Sequence, residues 1–229
     1  MGERISINTP DGSFGAYVAR PAAAKAPAVV VIQEIFGVNQ VMRDITDGLA
    51  GQGYLAICPD LFWRIEPGID ITDQSEAEWK KAFELFNAFD VDAGVRDIQA
   101  TIDAARADGG CNGKVGAVGF CLGGLLAYLT SAKTNADAAV SYYGVGIENR
   151  LGDAPKAPVL LHIAEEDQFV PKAAQEAIKA GLSGKAGVEL HTYPGRDHAF
   201  ARVGGEHYNA ADAEVAGRRS LDFFKRTIG

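Results

Sequence analysis

Cysteine is scarce in this 229-residue chain, with three thiols at positions 58, 111 and 121. An odd, sparse set does not read as a disulfide framework, and no Cys-x-x-Cys or clustered Cys/His spacing suggests zinc. Basic charge is also short: 22 Lys and Arg stand against 30 Asp and Glu, for a formal net charge of −8. That balance argues against nucleic acid as a partner, because phosphate binding needs a basic surface. No apolar run approaches the roughly 20 residues of a membrane-spanning helix. Met1-Gly2-Glu3-Arg4 lacks the basic-then-apolar layout of a signal peptide. Repeats, linkers and low-complexity segments are missing too. The expectation is one domain over residues 1–229, in a reducing cytoplasm where a thiol stays free.

What the chain does contain is strand and helix in alternation. Residues 27–33 form a continuous β-branched run, as a strand buried on both faces should. Residues 42–52 carry apolar positions at 42, 45 and 49, one helical face, and Tyr54–Pro59 is the next strand. A long helical stretch runs from about Ser75 to Ala107 with a break near Asp90. Lys114–Phe120 reads as a strand and Leu122–Ser131 as a small-residue helix. Ala138–Tyr143, Val159–Ala164 and Val188–Tyr193 add three strands, and helices at about 171–182 and 207–227 complete the series. Repeated β-α units imply an α/β fold, a mainly parallel sheet with helices on both faces.

Three segments carry chemistry. In Gly119-Phe120-Cys121-Leu122-Gly123, a strand meets a helix through Gly-x-Cys-x-Gly, the nucleophile-elbow layout with Cys in place of Ser. A thiol there stands at a helix N-terminus, where free amides and the helix dipole favour a thiolate and a developing oxyanion. Alone, the motif fits a buried structural cysteine about as well. Downstream, the strand Val159–Ala164 ends in Glu165-Glu166-Asp167, followed by Pro171 at the start of a helix. Asp167 is the preferred acid of the three. After the last strand comes His198, completing the order nucleophile, acid, histidine that this fold uses. His191 falls within a strand, His207 in the last helix, and His162 in an apolar strand, where a satisfied core histidine is expected. A thiol beside His198, with Asp167 orienting the imidazole, suits attack on a carbonyl and hydrolysis of the resulting thioester.

The chain resembles the dienelactone hydrolases (carboxymethylenebutenolidases), α/β-hydrolases, over nearly its whole length. The matching stretches include Gln33-Glu34-Ile35-Phe36-Gly37, Cys58-Pro59-Asp60-Leu61, Ala88-Phe89-Asp90, Gly119–Gly124, Tyr142-Tyr143-Gly144, Asp167–Pro171 and His198–Arg202. The resemblance implies a single α/β-hydrolase domain, monomeric and without cofactor or metal. It implies hydrolysis of an enol-lactone to maleylacetate in the breakdown of chlorinated aromatics. It also gives Glu34 control of the thiol's proton, and oxyanion-hole N–H groups to Ile35 and Leu122. Arg202 would grip a substrate carboxylate, with Tyr143, Trp79 and Phe83 also around the substrate. Trp79 departs from the family, standing where members place a second carboxylate-binding arginine, and Phe83 stands where they tend to have tyrosine. Lys80, one position on, is a possible replacement cation that would need real movement of the helix. The competing readings are a general carboxylesterase or thioesterase and a non-catalytic small-molecule receptor. A complete Cys/Asp/His set argues against the receptor.

Overall fold

A β-branched run with no polar face has nowhere to go but the interior, and Ala26–Ile32 is buried at every residue except Pro27. In the computed structural model, which describes residues 2–229, this run is the third of eight strands. They are β1 (Glu3–Thr9), β2 (Gly12–Ala19), β3 (Ala26–Ile32), β4 (Leu55–Pro59), β5 (Cys111–Phe120), β6 (Ala138–Tyr142), β7 (Val159–Ala164) and β8 (Val188–Tyr193). All join one sheet in the order β1-β2-β4-β3-β5-β6-β7-β8. From β4 to β8 the neighbours are parallel, while β1 and β2 form an antiparallel edge. This is the mainly parallel α/β architecture that the alternation predicts.

The described residues form six α-helices: α1 (Gln40–Gly51), α2 (Glu76–Ala88), α3 (Val91–Ala107), α4 (Leu122–Lys133), α5 (Lys172–Leu182) and α6 (Ala210–Thr227). The successive residues of β5 show how the layers are arranged. A Cβ on Gly116 would lie 2.8 Å from the Phe224 ring of α6, whereas one on Gly119 would lie 1.9 Å from the Gly123 carbonyl of α4. Three residues apart along a strand means opposite faces, so α6 and α4 sit on opposite sides of the sheet.

The helix starts follow local chemistry. Asn39, Ser75, Asp90 and Asn209 each cap a helix with a side chain that accepts from a backbone N–H three residues on. Asp90 does so from Ala93 N at 2.9 Å, which explains the break between α2 and α3. Two readings need correction. The hairpin β1–β2 precedes the first strand the pattern suggests, although Thr9-Pro10-Asp11-Gly12 is turn chemistry. His207 is not in the last helix: Asn209 caps α6 by accepting from Asp212 N at 3.0 Å, which leaves His207 in the preceding loop.

Candidate active site

The turn from β5 into α4 brings backbone so close to backbone that side chains are excluded. Besides the Gly119 contact, a Cβ on Gly123 would meet the carbonyls of Ile32 and Gln33 at 2.5 Å. Between these glycines Cys121 adopts φ 57° and ψ −115°, left-handed φ for a residue with a Cβ, which costs on the order of 1–3 kcal/mol. The surrounding backbone holds it there. Cys121 N donates to Tyr142 O at 3.1 Å, and Cys121 O accepts from Gly124, Leu125 and Val145 N. Leu122 is the first residue of α4, so its N–H is one that the helix itself cannot satisfy.

Asp167 lies three residues beyond β7, and His198 five beyond β8, at the same edge of the sheet. The two meet in the interior: His198 Nδ1 is 3.0 and 2.9 Å from the Asp167 carboxylate oxygens. Asp167 is pinned by accepting from Phe169 N at 2.8 Å and Val170 N at 3.1 Å. Of its rivals, Glu166 is exposed and pairs with Lys172, and Glu165 is half-buried with no contact to the imidazole. The ring of His198 is held edge-to-face by Tyr143 on one contact and Phe169 on another, with centroids 5.0 and 4.9 Å away. Its Nε2 is buried and has no hydrogen-bond partner among the described residues. Burial by itself would lower the pKa of His198. The negative charge of Cys121 and the bond to Asp167 outweigh it and raise the value to about 10.

A second buried group lies beside the first. Arg202 donates from Nη1 to Glu34 Oε2 at 3.2 Å and from Nη2 to Asp73 Oδ2 at 2.8 Å. Burial opposes its charge, but the two carboxylates hold the guanidinium protonated. Glu34 is 1% exposed, and its Oε1 has no partner among the described residues. The Tyr143 hydroxyl is likewise buried and unpartnered, and its pKa is driven well up by burial and then by Glu34.

His198, Arg202 and Asp73 border a cavity of about 490 Å³ whose walls also include Trp79, Phe83 and Phe169. An apolar recess of about 60 Å³ continues from it to Ile35, Phe36 and Cys121. Ring stacking joins Trp79 to Phe83 at 5.6 Å and sets Phe36 edge-on to Trp79 at 5.1 Å. Lys80 is exposed and borders neither space, so it supplies no cation where Trp79 stands.

The other two thiols are remote from this chemistry by position or by ionisation. Cys58 is fully buried in β4, where desolvation pushes its thiol up to about 12. Cys111 begins β5, ten residues and so roughly 30 Å of strand from Cys121. His162 has both ring nitrogens bonded, to Tyr193 Oη at 2.7 Å and Ser220 Oγ at 3.0 Å, as a satisfied core histidine should. Sequence reasoning missed Asp73, which sits in a polar loop before α2 and has no motif to mark it. It also missed His207, which borders the cavity mouth. Among the described residues, no group of three or more His, Cys, Asp or Glu is placed to hold a metal ion. No helix among them is long and apolar enough to cross a membrane.

Comparison with known proteins adds independent information. Residues 14–228 match the dienelactone hydrolase family. The chain is 50% identical over 228 residues to a protein of Azospirillum brasilense named a putative carboxymethylenebutenolidase, covering 96% of each chain. It is 46% identical over 224 residues to the carboxymethylenebutenolidase of Pseudomonas putida, covering 96% of this chain and 95% of that one. Among solved structures, a putative dienelactone hydrolase from Klebsiella pneumoniae superposes with a TM-score of 0.85 at 29% identity, covering 98% of both chains.

Proposed function

Because the chain belongs to the dienelactone hydrolase family and is a hydrolase, we propose that it opens an enol-lactone of the dienelactone type to maleylacetate through a thioester on Cys121. One observation carries this reading: the strained Cys121 and His198, which the buried Asp167 holds, border a common recess at the end of a substrate-sized cavity. With the imidazole raised to about 10, His198 carries a proton at rest, and Glu34 takes the Cys121 proton as substrate arrives. The thiolate attacks the lactone carbonyl, and the N–H groups of Leu122 and Ile35 receive the oxyanion. Collapse breaks the ring C–O bond, and the departing enol oxygen takes the His198 proton before rearranging to the ketone. Neutral His198 then deprotonates a water that hydrolyses the thioester, which releases the acid, leaves His198 protonated again and frees the Cys121 thiolate to recover its proton from Glu34.

In this scheme Glu34 governs the thiol's proton as substrate arrives, and Arg202 receives the substrate carboxylate. Three free cysteines fit a reducing cytoplasm, where the protein would act as a single cofactor-free domain on a small molecule. The test is to quench a reaction with dienelactone and weigh the protein. A mass increase located at Cys121, missing in Cys121→Ala along with turnover, supports the scheme; turnover that survives Cys121→Ala ends it.

A second reading, an esterase for neutral substrates, is favoured by one observation. Arg202 is already engaged by two carboxylates, and the cavity wall is aromatic. Comparing kcat/KM for dienelactone and p-nitrophenyl acetate separates the two.

A further inference from the structure

Arg202 is the cation available to an anionic substrate under the reading above, yet each of its two terminal nitrogens already meets a carboxylate. Nη1 meets Glu34, whose side chain is 2% exposed and borders neither the cavity nor its recess. Nη2 meets Asp73, which does line the cavity. Nε is buried beside Gly205 and has no hydrogen-bond partner among the described residues. A carboxylate arriving from the cavity therefore confronts Asp73 rather than Glu34.

The loop bearing Asp73 is firmly held. Glu78 of α2 accepts from Thr72 N at 2.9 Å, from Thr72 Oγ1 at 2.9 Å and from Ser75 Oγ at 2.8 Å. The Trp79 indole N–H donates to the Asp73 carbonyl at 3.0 Å. Two consecutive helix residues thus fix the backbone on both sides of Asp73. Charge adds to this, because two carboxylates already face one guanidinium, and a third must displace one of them or be repelled.

We propose that Asp73 is a specificity-determining residue: it occupies the cavity-facing position on Arg202 that a substrate carboxylate needs, and so disfavours anionic substrates relative to neutral ones. Trp79 acts as its positioning residue. The inference rests on the cavity being the active site of the proposed hydrolase, but not on dienelactone being the substrate.

The test compares wild type with Asp73→Asn, which removes the charge and keeps the shape. Three quantities are read: KM and kcat for dienelactone, the same for p-nitrophenyl acetate, and the Ki of maleate as a competitive inhibitor of p-nitrophenyl acetate turnover. Loss of a charged competitor is expected to tighten maleate roughly 10-fold. The ratio of kcat/KM for dienelactone over p-nitrophenyl acetate should rise by a similar factor, carried by KM rather than kcat. Trp79→Phe, which removes the indole donor and keeps an aromatic ring, should shift maleate in the same direction by less, and it serves if Asp73→Asn does not fold. Maleate binding that is unchanged or weaker in the variants, or maleate that binds none of the proteins at millimolar concentration, overturns the inference, whatever happens to dienelactone. If maleate tightens but no protein turns over dienelactone, the inference stands and the lactone reading falls.

Discussion

His198 presents Nδ1 to both oxygens of Asp167, at 3.0 and 2.9 Å, and leaves Nε2 buried without a partner. One nitrogen is thereby committed to orientation and the other is left for proton transfer. Because the bond to Asp167 helps hold the folded imidazole, against burial, at about 10 rather than an ordinary 6.5, the stability that bond adds is complete below pH 6.5. It is lost as pH rises from 6.5 to 10. The gap in unfolding free energy between wild type and Asp167→Asn should accordingly narrow across that window in urea titrations. By NMR, the His198 ring protons should titrate near pH 10, and well below that in Cys121→Ala. A wild-type midpoint near 6.5 would show that no such ion pair forms.

Cys121→Ala should abolish ester turnover, whereas Cys58→Ala and Cys111→Ala should retain most of it. Iodoacetamide should inactivate in step with labelling of Cys121, since desolvation keeps Cys58 a thiol to about pH 12. Labelling of Cys58 or Cys111 that tracks inactivation while Cys121 stays free would move the nucleophile elsewhere.

The buried Glu34–Arg202 pair predicts two different losses. Glu34→Gln should lower kcat by about 10²–10⁴-fold with little change in melting, if it governs a proton. Arg202→Met leaves Glu34 as a buried carboxylate without its cation and should cost roughly 3–5 kcal/mol in stability. Urea unfolding and steady-state kinetics on the two variants distinguish these effects. Equal destabilisation by both, with unchanged kcat in Glu34→Gln, would reduce Glu34 to a structural partner.

His162→Leu provides the converse. It leaves Tyr193 and Ser220 without their shared partner and should cost about 1–3 kcal/mol, while kcat stays near the wild-type value. A selective fall in kcat at unchanged melting temperature would bring His162 into the chemistry.

Local physics was legible in the chain read as a string. The buried run that became β3 and the break at Asp90 each depend on residues within a few positions of one another. So does the glycine-flanked Cys121. The same local rules could have found the β1–β2 hairpin from Thr9-Pro10-Asp11-Gly12. Asp167 could be preferred over Glu165 and Glu166, but its burial and its bond to His198, 31 positions away, depend on how β7 and β8 lie side by side.

The pairing of Asp73 with Arg202 is of another kind. The two are 129 positions apart, and Asp73 belongs to an unremarkable polar loop whose place is set by Glu78 and Trp79 in α2. Periodicity can say that α2 is a helix, but not which loop its first turn presses against the end of the sheet. Trp79 shows the same limit: by residue type it is a missing cation, and in three dimensions it is the donor that holds Asp73 against Arg202. Side-chain periodicity is a property of a segment, whereas the charge balance at a buried site depends on which segments meet. Packing of the whole sheet and its helices decides that.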